Sequence, residues 1–216
     1  MDAEMELPAR DSQLVQIMKA SLADATRRAG EWLVCRPDCT QCCYGAFAIN
    51  QLDVMRLQAG MNVLRSTEPG RAGGIERRAQ RWIDEHGRDF PGDPATGLLG
   101  SSDADRERFE EFANDAACPA LDPATGLCDV YQARPMACRI FGPPVAMDAG
   151  DDDGPALAHC ELCFVGVSAA EVAACEMRVP QELEQGLLDD LEHEGLRGET
   201  VVAFALMGSC GGSEDG

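Results

Sequence analysis

The chain has 216 residues, 38 acidic against 18 basic side chains for a formal charge of −20, and 11 cysteines. That length can bury a full core without disulfide staples, and the acidic excess excludes a general nucleic-acid or anionic-membrane surface, because polyanions are repelled. The first ten residues carry Asp2, Glu4 and Glu6 with no apolar run, so they do not read as a signal peptide, and no window reaches the ~18 apolar residues of a bilayer span. The expected compartment is the cytoplasm, where clustered cysteines bind metal or do redox chemistry more often than they form disulfides.

In chain order, Leu14, Ile17, Met18, Leu22, Ala25, Ala29 and Trp32 recur at helical spacing behind Asp11 or Ser12 as cap, and this helix runs straight to Cys35. After Cys43, the run from Gly45 to Ile49 reads as a short strand. Asn50 then caps a helix through Val54, Leu57 and Leu64, with Gly60 as its weak point. Ile75, Ala79, Trp82 and Ile83 mark a third helix. Gly87 to Ser102 reads as loop, and Asp103 to Ala113 as a charged helix. Met147 to Gly154 reads as an acidic surface loop. Ser168-Ala-Ala-Glu171 is a capping box ahead of a helix carrying Val172 and Cys175, and Pro180 starts an acidic helix through Leu191. Thr200 to Met207 is apolar throughout and reads as strand or buried helix. Asp93-Pro-Ala-Thr-Gly-Leu98 recurs as Asp122-Pro-Ala-Thr-Gly-Leu127. Because the first copy is followed by Leu99 where the second has Cys128, the repeat is read as turn chemistry and not as a duplicated metal hairpin.

The chemistry is concentrated in the cysteines. Cys35-Arg-Pro-Asp-Cys39-Thr-Gln-Cys42-Cys43 puts four thiols in nine residues, and short gaps let one loop offer two sulfurs to a tetrahedral ion. Metal binding requires the thiols to lose their protons, and the cation offsets the charge that results. Cys118, Cys128 and Cys138 follow at ten-residue steps. The turn at Asp122 to Gly126 is expected to bring Cys118 and Cys128 together, and a helical turn after Arg134-Pro135 to return Cys138 to them. Cys160, with His159 beside it and Cys163 three residues on, is the nearest fourth ligand. Cys175 and Cys210 read as a packing residue and a tail residue. The carboxylate runs at Asp151 to Asp153 and Asp189-Asp190 lack the alternating ligands of a calcium loop.

Cys35 to Cys43, Cys118-Pro-Ala-Leu, and Gly126-Leu-Cys128-Asp-Val-Tyr131-Gln-Ala-Arg134-Pro135-Met-Ala-Cys138-Arg139-Ile-Phe141 together resemble the bacterial and archaeal cysteine-cluster family named for its C-x-x-C-x-x-C-C motif, a zinc- or iron-chelating domain. The resemblance covers Glu31 to Phe164. It implies that Cys160 matches the family's later single cysteine and that Asp53 stands where members often carry an Asp. The first gap, three residues including Pro37, departs from the family's two. Cys35-x₃-Cys39-x₂-Cys42 also has the spacing of radical S-adenosylmethionine enzymes, but the chain is too short and too poor in strands for their barrel, and Cys43 is foreign to that motif. Similar cysteine motifs occur in flagellin lysine N-methylases, which are associated with an iron–sulfur cluster.

The expected metal ligands are therefore Cys35, Cys39, Cys42, Cys43, Cys118, Cys128, Cys138 and Cys160, with Cys163 as a possible ninth and Arg139 and His159 as supporting neighbours. Eight thiols can fill two four-thiolate sites with zinc or an iron–sulfur cluster, and the thiol number tilts the choice to iron. The expected fold is α+β, mainly helical with a small β-hairpin and a metal-stabilised cysteine-rich core. Its expected layout is a flexible N-terminus over 1–10, a chelating domain over 11–166, a helical extension packed on it over 167–207 and a disordered tail over 208–216. Three functions compete: a metal-chelating protein with an accessory, electron-transfer or metal-handling role and an unidentified protein partner; a cluster-containing redox or methyl-transfer enzyme; and a metal-free thiol oxidoreductase. The absence of G-x-G-x-x-G, P-loop and nucleophile-elbow motifs weighs against the second, and the absence of βαβ context against the third.

Overall fold

The computed structural model describes residues 7–36, 39–147 and 156–208. The expected flexible first residues, most of the acidic loop after Met147, and the tail with Cys210 lie largely or wholly outside them. The helices are α1 (Asp11–Ala29), α2 (Gln51–Thr67), α3 (Pro69–His86), α4 (Asp103–Glu110), α5 (Met136–Ile140), α6 (Ala169–Ala174), α7 (Gln181–His193) and α8 (Val202–Met207). Two antiparallel pairs accompany them: β1 (Gly92–Asp93) with β2 (Leu98–Leu99), and β3 (Val145–Met147) with β4 (Ala156–Ala158). The protein is mainly helical α+β. Among the described residues no helix is long and apolar enough to cross a membrane.

The chain forms two compact units, each assembled from separate stretches. The first contains Asp38–Pro135 and Leu188–Gly216 with the first seven residues; the second contains Pro8–Pro37 and Met136–Leu187.

In the first unit, α2, α3 and α8 pack on one another. Asn50 caps α2 as expected, its side chain accepting the Asp53 amide at 3.0 Å. The shared core takes Leu57 and Met61 from α2, Ile75, Ala79 and Trp82 from α3, and Val202 to Leu206 from α8. Phe90 and Phe112 close it, with Phe90 4.8 Å from Phe204 and Phe112 edge-on to Trp82 at 5.7 Å. The segment Thr200 to Met207, ambiguous by pattern, is a helix after Val201. The expected strand at Gly45 to Ile49 is not a ladder: its ends pair with different partners, Tyr44 with Ala117 and Ile49 with Thr200.

The Gly87 to Ser102 stretch contains β1 and β2 as well as loop. Both copies of the repeated hexapeptide fold alike. Asp93 and Asp122 each accept an amide two residues on, at 2.9 and 3.0 Å, and a threonine hydroxyl three residues on, at 2.9 and 2.7 Å. Gly97 and Gly126 both sit at positive φ, +72° and +69°. The repeat is turn chemistry, and only the second copy delivers a cysteine.

In the second unit, Gly30 ends α1 and a tight turn carries Trp32, whose carbonyl accepts the Phe164 amide at 2.9 Å. Arg28, near the end of α1, reaches the carbonyls of Ala174 and Glu176. α6 begins with the expected capping box, Ser168 and Glu171 bonding each other's backbone. Ala29, Cys160, Cys163, Phe164, Val172 and Cys175 form a buried cluster.

Candidate metal centre

Two thiol groups emerge, one in each unit, and they cut across the two cysteine clusters of the sequence. In the first unit, the turn Gln41–Cys43 is closed by the Cys43 amide on the Thr40 carbonyl at 2.8 Å, and Tyr44 then pairs with Ala117. That pairing puts the Cys118 amide on the Cys43 carbonyl at 2.7 Å. From Cys118 the chain folds through the Asp122 turn, and Leu121 bridges back to Cys128. The expected hairpin is thus one bridge long. Cys118 and Cys128 both pack against the apolar core.

The four thiols Cys42, Cys43, Cys118 and Cys128 act on one another electrostatically. The Cys43 thiol donates to Cys42, and this holds Cys42 down to about 6 although burial opposes it. The same bond, with burial, raises Cys43 well above the ordinary thiol range. Burial pushes Cys118 up to about 12, aided by Cys128, and raises Cys128 as well. The Arg134 guanidinium favours the thiolates of Cys42 and Cys128 and also lies 4.1 Å above the Tyr131 ring. Arg134, which the sequence presents as a turn residue, is the cation of this group. Its signal was its place three residues after Tyr131, in the segment that carries Cys128. Cys39 is half-buried in the same unit.

In the second unit, the Cys35 and Cys163 sulfurs are 3.9 Å apart. Gly142 packs against the Cys35 sulfur, and its carbonyl accepts the Cys160 amide at 3.2 Å. The Cys163 amide turns back to the Cys160 carbonyl at 2.9 Å. Cys138 lies half-buried on α5, and Arg139 beside it is buried. The helical turn expected after Arg134-Pro135 forms as α5, and Cys138 on it falls within this unit, while Cys118 and Cys128 fall within the first. The reason is local: Arg134 is held extended ahead of Pro135, which ends the first unit. His159 is exposed, with its Nδ1 3.1 Å from the Cys160 carbonyl and its ring 5.5 Å from Phe164. Cys175 is core.

A family model described as "CxxCxxCC: Putative zinc- or iron-chelating domain" matches residues 34–161, more than half of the chain. The chain belongs to this family. No curated protein and no solved structure matches it. The CxxCxxCC match begins at Val34 and ends at Glu161, so it spans Cys35 to Cys160 and stops short of Cys163. Among the described residues no three His, Cys, Asp or Glu side chains stand close enough together to hold a metal ion. The donor chemistry nevertheless fits the family's metals. The candidate donors are thiols, and soft thiolates select zinc and iron–sulfur clusters over hard cations.

Proposed function

We propose that this CxxCxxCC protein holds iron as an iron–sulfur cluster on its clustered thiolates and serves an accessory, electron-transfer or metal-handling role. The observation that carries this reading is the first unit's group of four mutually interacting thiols from distant segments, Cys42, Cys43, Cys118 and Cys128, of which Cys118 and Cys128 pack against the apolar core. Cys39 stands by in the same segment. Cys43, Cys118 and Cys128, whose pKa values are raised, gain nothing from proximity without a cation, and this supports an ion at the group. Iron is favoured over zinc because the second unit holds further thiols at Cys35, Cys138, Cys160 and Cys163. That is more sulfur than one structural zinc takes, in units that already have apolar cores. A bound cluster supplies one-electron chemistry. The chain's own part is to present the thiols, shield them on the core side and offset their charge with Arg134.

A second reading, an enzyme with its metal beside a substrate site, is favoured by one observation: Cys118 lines an open cleft. Anaerobic purification followed by elemental analysis and a visible spectrum tests both. Iron with labile sulfide and absorption near ~400 nm is expected. Zinc alone would replace the cluster with a chelating site, and protein free of both metals would overturn both readings in favour of thiol redox chemistry.

A further inference from the structure

In the second unit the Cys35 sulfur stands 3.9 Å from that of Cys163, although 128 positions separate them in the chain. Backbone contacts on both sides hold them there. The Phe164 amide donates to the Trp32 carbonyl at 2.9 Å, tying the segment after Cys163 to the segment before Cys35. The Cys163 amide donates to the Cys160 carbonyl at 2.9 Å and closes the turn on the other side. Phe164 takes φ +58°, a left-handed conformation that is costly for a residue with a side chain, so the surroundings of Cys163 are fixed against local preference. Around Cys35, a Cβ at Gly142 would lie 2.8 Å from the sulfur, so the glycine leaves the space that the sulfur occupies.

The two thiols differ in access. Cys35 is exposed, whereas Cys163 is 1% exposed, within the apolar cluster of Ala29, Phe164, Val172 and Cys175. Thiol–disulfide exchange uses this asymmetry: one sulfur that an external disulfide reaches, and a neighbour that has only to meet the first. Cys160 and Cys163 have the C-x-x-C spacing of redox pairs, but at 3% and 1% exposure neither meets an external oxidant.

We propose that Cys35 and Cys163 form a thiol–disulfide exchange site whose oxidant is a low-molecular-weight disulfide. Cys35 gives its proton to solvent and attacks one sulfur of the disulfide. The S–S bond of the small molecule breaks, one small thiolate leaves, and Cys35 keeps the other half as a mixed disulfide. Cys163 then attacks the Cys35 sulfur and passes its proton to the second departing thiolate. The protein thiols lose two electrons and two protons, and the small disulfide gains both as two small thiols. The protein sulfurs close by about 2 Å to reach bonding distance, a movement that side-chain rotation at exposed Cys35 supplies. The site does not rest on the metal reading, since Cys163 lies beyond the family match that ends at Glu161. A metal held on Cys35 and this disulfide exclude each other, because both use the same sulfur.

The test uses the full chain as purified anaerobically and the same protein after metal removal by chelation. Each is exposed to hydroxyethyl disulfide, an uncharged probe that a chain at −20 does not repel. Remaining thiols are alkylated and the chain is cut before aspartates, which isolates Cys35 as the single cysteine of residues 24–37. Mass spectrometry is expected to find this peptide linked to Cys163 and to see the link lost on reduction. Cys163→Ser should lose the link and leave Cys35 carrying the hydroxyethylthio group. Cys35→Ser should leave Cys163 unmodified by the probe, and Cys160→Ser should keep the link. A link from Cys35 mainly to another cysteine, no link in the metal-free sample, or probe on Cys163 in the Cys35→Ser chain overturns the proposal. A link confined to the metal-free sample is the exclusion expected of a shared sulfur. Metal is assayed in both samples, so a chain that is purified without metal and still forms the link refutes the chelation reading and not this one.

Discussion

The amide of Cys118 donates to the carbonyl of Cys43 at 2.7 Å, so two cysteine segments far apart in the chain are joined through their backbones at the point where their thiols are needed. On the proposed reading, a metal held at this point would tie off the long loop between them and offset part of its closure entropy.

The thiols of this junction are expected to be the sensitive ones. Cys42→Ala, Cys118→Ala and Cys128→Ala should each deplete the metal bound per chain, read by elemental analysis, and Cys138→Ala should deplete it by disabling the other group. Cys175→Ala should leave metal content unchanged, because Cys175 is packed in the apolar cluster with Val172 and Phe164. Cys210→Ala should also have no effect. Equal metal content across the whole set would refute the assignment.

Metal loading should release protons. Cys118 is pushed up to about 12 by burial, and Cys43 and Cys128 are raised too, so these thiols are protonated at neutral pH without metal. Apparent metal affinity should therefore rise with pH, and calorimetry in buffers of different ionisation heat should detect the protons released. For the metal-free protein the sign is opposite. A thiol raised from 9.0 to about 12 contributes its full stability below pH 9 and loses it as pH climbs toward 12. Urea midpoints of metal-free protein should fall across that window; constant midpoints would contradict the burial of Cys118.

Asp53, which the family resemblance singles out, is 3% exposed and pairs with equally buried Arg56 at 2.6 Å on α2. Asp53→Ala takes this buried counter-charge from Arg56, so it should cost about 3–5 kcal/mol in urea unfolding. Glu76→Ala, which breaks an exposed pair with Arg65, should cost no more than about 1 kcal/mol. Comparable losses would show that Asp53 is not a buried ion-pair residue.

Gly60 reads in sequence as a weak spot in a helix, and replacing it with Ala should gain about 1 kcal/mol of helix propensity. The structure reverses that expectation. A Cβ at Gly60 would lie 2.3 Å from the Cβ of Ala133, in the turn between Cys128 and Arg134. Gly60→Ala should therefore destabilise by about 1–3 kcal/mol and lower metal content, and adding Ala133→Gly should restore both. Thermal unfolding and metal analysis of the pair check this.

Local features were legible where their physics is local. The Asn50 cap, the Ser168–Glu171 capping box and the Asp-Pro-Ala-Thr-Gly turn each satisfy hydrogen bonds within a few residues, and each forms as read. The segment from Thr200 to Met207 was not legible, because a run that is apolar on every side has no period to distinguish helix from strand. Neither were β1 and β2, whose two residues apiece are too few to alternate.

The sequence by itself determined the family, the mainly helical α+β class and the soft sulfur donors, because residue type, spacing and periodicity carry that information directly. Only the tertiary structure decided which thiols stand together. Cys42 and Cys43 join Cys118 and Cys128, while Cys35 meets Cys163, which lies beyond the family match. The first of these partnerships follows from the backbone pairing of Tyr44 with Ala117, and long-range contacts of that kind leave no trace in local spacing. The same holds for Arg134, which acquires its role only from the segments folded against it.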